Sequence, residues 1–157
     1  HLIPDCDIFG QVDHDCTNQS CALSPEETEC VWCEHRDLFY KAPISPERCA
    51  PEAKVCDIGK SSMNLNAEGI YYPCDGCHGI VLGNAQEQSF AEVWQGEKLQ
   101  ALRALRNLDF GECAHCENRP WCKVCPTRNF NETADMFCHT SARCRAAQIR
   151  RKLFSNN

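Results

Sequence analysis

From residue 63 onward, the order of apolar and polar positions spells out a short run of elements. "MNLN" and "GIYYP" flank Ala67-Glu68-Gly69, which predicts a short β-hairpin with Gly69 supplying positive φ and Pro73 closing the second strand. "LGNAQEQSFAEVW" predicts a helix opening at Ser89, because Glu92 three residues on completes a capping box and Phe90, Val93 and Trp94 share one face. Gly96 breaks that helix. Leu99, Leu102 and Leu105 in "EKLQALRALRNL" resume at helical spacing as an ordinary core stripe, and "ARCRAAQIRRKLF" (142–154) predicts a terminal helix. Upstream, residues 1–48 are polar and acidic with little periodicity. "KAPISPERCAPE" (41–52), with three prolines, reads as an extended linker. There is no internal repeat and no low-complexity tract.

Composition changes this picture at one point. The chain has 157 residues, and 15 of them are cysteine. Ile, Leu, Val and Phe alone make a thin core for that length, so cross-links or metal must help to fix the fold. A disulfide scaffold would suit a small secreted protein. The odd cysteine count and the C-x2-C pairs Cys30/Cys33, Cys74/Cys77, Cys113/Cys116 and Cys122/Cys125 favour reduced, metal-binding thiolates in a cytoplasmic setting. No apolar stretch reaches the ~18 residues of a membrane span, so no membrane partner is expected. The net charge of −6 gives no reason to expect nucleic acid.

"GECAHCENRPWCKVCP" (111–126) concentrates the chemistry. Zinc takes four ligands in a closed tetrahedron, usually from two knuckles separated by a hairpin, and five residues between the pairs is short for that. Iron–sulfur cubanes accept densely spaced thiolates and often draw the fourth from far along the chain. Spacing alone leaves both open, with the cluster ahead.

From Cys49 onward the chain resembles the SPASM domain, the C-terminal auxiliary iron–sulfur domain of many radical S-adenosylmethionine enzymes. Cys56 is followed by twelve residues, Gly69, four residues and Cys74. Cys113-x2-Cys116-x5-Cys122-x2-Cys125 follows, then Cys138. "CDIG", "GIYYPC" and "LGNAQEQSFAEVW" match the landmarks between the cysteines. One departure stands out: two residues separate Cys122 from Cys125 where the general pattern has three.

The resemblance implies a small α+β domain over 49–157, with a hairpin at one cluster, a helical middle, a loop wrapped on the other and a closing helix. Residues 1–48 would be a cysteine-rich extension or the end of a preceding domain. It implies two 4Fe–4S clusters, the first on Cys49, Cys56, Cys74 and Cys125, the second on Cys113, Cys116, Cys122 and Cys138. Cys144 competes with Cys138 for the last place. The parent would be a peptide- or protein-modifying enzyme of the maturase type, in which the clusters accept or relay the electron left on the substrate. Its barrel domain, in the same chain or a separate subunit, would bind S-adenosylmethionine through a C-x3-C-x2-C loop. That loop does not occur here, and the chain starts at His1, so a C-terminal fragment is expected.

Other residues fall outside this pattern. Cys16, Cys21, Cys30 and Cys33 are candidates for a zinc ion or a further cluster. Cys77 and Cys144 read as ordinary thiols, and His115 and His139 as hydrogen-bond partners of cluster sulfur. The basic last helix reads as a solvated face complementing its own C-terminus. A zinc-binding interaction module without redox role is the alternative from another class.

Overall fold

The computed structural model describes residues 17–40 and 42–155. After a 3-10 turn (Thr17–Cys21) comes α1 (Pro25–Glu34), which starts on a capping box. The Ser24 hydroxyl accepts the Glu27 N–H, and the Glu27 carboxylate accepts the Ser24 N–H. "SPEE" carries that signal, so the amino-terminal stretch is more ordered than its lack of periodicity suggests. The short α2 (Arg36–Phe39) follows at once. Within the proline-rich segment, Pro46 opens a single turn, α3 (Pro46–Cys49), where an extended linker was expected.

The predicted hairpin is present as β1 (Asn64–Leu65) and β2 (Ile70–Tyr72), paired antiparallel with Asn64 opposite Tyr72. Gly69 has φ +81° at the turn, as its position requires. A third strand, β3 (Gly83–Asn84), extends the sheet in the order β1-β2-β3. Two residues are too few to show a period, which is why the sequence concealed it.

α4 (Phe90–Gln95) has the Ser89–Glu92 capping box, and Gly96 both ends it and begins α5 (Glu97–Ala104). A 3-10 run (Asn107–His115), kinked at Gly111, and a 3-10 turn (Arg119–Trp121) carry the cysteine-rich loop. They lead to α6 (Pro126–Thr133) and α7 (Ser141–Phe154).

The core is divided. One cluster joins Ile58, Tyr71, Leu82, Val93, Leu99 and Leu102, with Cys56 and Cys74 at its edge. A second joins Val55, Phe110 and Val124, again beside Cys56 and with Cys113. A third joins Trp32 and Phe39 to Ile149 and Phe154, so α1 and α2 pack on α7. Burial of each such side chain contributes about 1.5–3 kcal/mol, but small separate clusters leave cysteines where a larger domain would have more oil. Gly59 shows how tight the first cluster is. Its φ is +61°, and a Cβ there would stand 2.3 Å from Leu99 Cδ1. The mixed helix and sheet content is the small α+β class that was expected.

Candidate iron–sulfur site

Cys56, Cys74 and Cys125 are brought together from three distant places. Val55, paired to Leu105 through its N–H, sets Cys56 at the rim of two core clusters. Cys74 leaves β2 directly after Pro73. Cys125 is the N-cap of α6 and accepts the Arg128 N–H at 3.5 Å. Burial raises the Cys56 thiol pKa, and the neighbouring Cys125 and Cys74 push it further the same way.

Cys74 behaves oppositely. It receives hydrogen bonds from the Cys77 thiol, from Thr127 (3.3 Å between Sγ and Oγ1) and from the Gly76 N–H, and its pKa falls to about 6. Cys77, fully buried, is pushed far up because it donates a hydrogen bond to Cys74, with burial adding to the effect. It is thus a sulfur partner of a candidate ligand rather than an isolated thiol.

Cys49 stands apart. It ends α3 half-buried, its thiol directed at the Ile44 carbonyl (3.6 Å), and burial raises its pKa. The charged neighbours acting on it are Arg119 and Glu47; none of the other three cysteines is among them.

The second set surrounds a cavity. Cys113, Cys116 and Cys122 line it from the loop, and Cys144 lines it from the first turn of α7. The space, its open mouth included, is about 450 Å³, and Val124 and Ala147 share its wall with Arg119, His139 and Arg143. Burial raises the pKa of both Cys113 and Cys144, and Cys122 and Cys116 raise both further. Positive charge between these sulfurs would offset the effect on Cys113 and Cys144. His139 Nδ1 lies 3.5 Å from Cys113 Sγ, the sulfur contact expected of it.

Cys138 is exposed and is not on the cavity wall. Cys144, read from sequence as an ordinary thiol, is. Counting residues could not separate the two, because only the docking of α7 decides which sulfur faces inward.

The donor set fits a cluster better than a single ion. Zinc draws four sulfurs to ~2.3 Å from one point. Among the described residues, no three His, Cys, Asp or Glu side chains converge that closely, although four cysteines share one cavity. Of the amino-terminal candidates, Cys21, Cys30 and Cys33 are all exposed, the last two on α1, and Cys16 lies outside the described residues. Also among the described residues, no helix is long and apolar enough to cross a membrane.

Two thiol groups, one gathered from three distant segments and one from the cysteine-rich loop and α7, mark an iron–sulfur cluster-binding domain. Residues 56–126 match the model of the SPASM family, described as an iron–sulfur cluster-binding domain. Over that segment, somewhat under half of the chain, the sequence is similar to the SPASM family. It is 32% identical over 84 residues to an AdoMet-dependent heme synthase of Methanosarcina barkeri (strain Fusaro / DSM 804). The match takes in 52% of this chain and 23% of the relative, so the chain spans about a quarter of that protein's length. No solved structure gives a significant match.

Proposed function

We propose that this chain binds two 4Fe–4S clusters and serves as the electron-handling auxiliary domain of a radical S-adenosylmethionine enzyme. The observation that carries the proposal is the cavity whose wall holds Cys113, Cys116, Cys122 and Cys144 in a chain similar to the SPASM family. Such clusters supply one-electron acceptance and transfer. The chain's own part is to hold the sulfurs, to limit water and to place hydrogen bonds.

In this reading Cys144 is the fourth thiolate of the second cluster. Cys56, Cys74 and Cys125 hold the first, and the resemblance adds Cys49 to them. Cys125 leaves the dense loop to serve the other site. The loop and the sheet are thereby tied by two inorganic cross-links in place of the missing core. Arg143, from α7, donates to Asn129 Oδ1 (2.9 Å) and to the Lys123 carbonyl, and this fixes Cys144 against the loop.

For the longer protein, the relative's name favours a role in heme synthesis over the peptide-modifying role that the resemblance alone implies. The barrel that binds S-adenosylmethionine would be its partner, in the same chain or a separate subunit.

The test is metal analysis of the full chain purified without oxygen. About eight irons with matching sulfide, broad absorbance near ~400 nm and 4Fe–4S Mössbauer parameters are expected. A colourless protein with stoichiometric zinc would overturn the proposal in favour of a zinc-binding module.

A further inference from the structure

We infer that Arg119 tunes the second cluster by donating its Nε–H to a cluster sulfur, making that cluster more readily reduced than it would be without the bond. This rests on the proposed occupancy of the cavity and adds a residue that neither motif nor spacing singles out.

Arg119 is 5% exposed and lines the cavity beside the four cysteines. Its Nη1 donates to the Cys122 carbonyl at 2.5 Å and its Nη2 to Asn107 Oδ1 at 2.7 Å. Asn107 is itself pinned, its Nδ2 donating to the Arg48 and Ala50 carbonyls at 2.9 and 2.8 Å. The guanidinium is held at both outer nitrogens and cannot swing away. Its Nε is nonetheless buried with no hydrogen-bond partner among the described residues. A buried charged donor left unpaired is costly. On a wall of four thiolates, the partner it lacks is an anionic sulfur.

The two sites differ in the charge around them. Arg143 also lines the second cavity, but its guanidinium already donates to the Lys123 carbonyl and to Asn129. Arg143 is the cation that acts on Cys113 and, with Arg145, on Cys144, whereas Arg119 adds a buried N–H with no partner among the described residues. Sulfurs of the first set take hydrogen bonds from the Ile58, Gly76 and Arg128 N–H groups and from Thr127, and the cation acting on Cys56 is Lys123. A four-thiolate cluster gains one negative charge when it takes up an electron. A buried cation with a hydrogen bond to sulfur stabilises that reduced form and raises the potential. The same guanidinium also acts on Cys49, so ionised Cys49 is the rival acceptor.

The experiment is an anaerobic potential titration of the iron-loaded full chain. Dithionite is the electron donor and the cluster signals are read by electron paramagnetic resonance. The signal lost in Cys113→Ala marks the second cluster. In Arg119→Gln that signal should need a potential lower by at least ~59 mV, a tenfold change in the one-electron ratio, while the other signal and the iron content stay as in the wild type. Arg119→Lys, which keeps the charge, should fall between. Unmoved potentials at full iron, or equal shifts of both, would overturn the inference.

Should the variants fail to load, wild-type protein labelled with 15N-arginine decides by pulsed resonance. A 15N coupling on the reduced second cluster that persists in Arg143→Lys supports the inference, and its absence there, or its presence on the first, overturns it. Iron analysis of the wild type comes first. A wild type without iron refutes the cluster reading itself, which separates that failure from the failure of Arg119.

Discussion

Cys138 and Cys144 are six positions apart, and residue-level chemistry treats them alike. Their surroundings do not. Cys138 follows the turn at Asp135 and is exposed, whereas Cys144 faces three loop cysteines and has Arg143 and Arg145 lowering its pKa against the effect of burial. Replacing Cys144 by Ser should therefore remove about half the iron and the second cluster's spectrum, whereas Cys138→Ser should leave both intact. Iron analysis with Mössbauer spectra of the two variants checks this, and loss on Cys138→Ser alone would restore the spacing-based assignment. Cys77 shows the same lesson from the other side. Its sequence context is a bare C-x2-C, yet in the fold it is a buried hydrogen-bond donor to Cys74.

At the scale of elements, local signals were most legible where a side chain bonds its own backbone. The Ser89–Glu92 box was evident from spacing, and both its hydrogen bonds form, at 3.3 and 2.8 Å. The Ser24–Glu27 box is its equal and lies in plain view, but the surrounding polarity masked it. Ser24→Ala and Ser89→Ala should each cost about 1 kcal/mol, measured by urea denaturation of the iron-loaded chain. An unchanged midpoint in both would show that packing, not capping, sets these helix starts. α3 and β3 were not legible. Each spans four residues or fewer and exists because of contacts from elsewhere: Asn107 holds the Arg48 and Ala50 carbonyls, and β2 pairs with β3.

At the scale of the whole molecule, the amino-terminal helices are part of the structure that carries the second site. Trp32, 3% exposed, packs with Ile149 and Phe154 of α7, Arg150 lies 4.8 Å above its ring, and Lys152 pairs with Glu29. Since α7 also presents Cys144, α1 buttresses a proposed cluster ligand from outside the segment that matches the family. Trp32→Ala should cost about 3–5 kcal/mol and weaken retention of the second cluster's iron more than the first's. Urea midpoints and iron release to a chelator would check this, and equal release from both sites would show that α1 does not support α7 in this way.

The sequence by itself determined the class of chemistry. Thiol density, the spacing of Cys56, Gly69 and Cys74, and the four-cysteine loop mark an iron–sulfur domain, because ligand type and local turn geometry are properties of neighbours in the chain. Tertiary structure alone decided which thiols share a cavity, that Cys144 rather than Cys138 faces it, and that Arg119 is buried beside it with an N–H that has no partner among the described residues. Those outcomes depend on how α7, the cysteine loop and α3 dock, and docking is set by contacts between residues tens of positions apart, which no local period records.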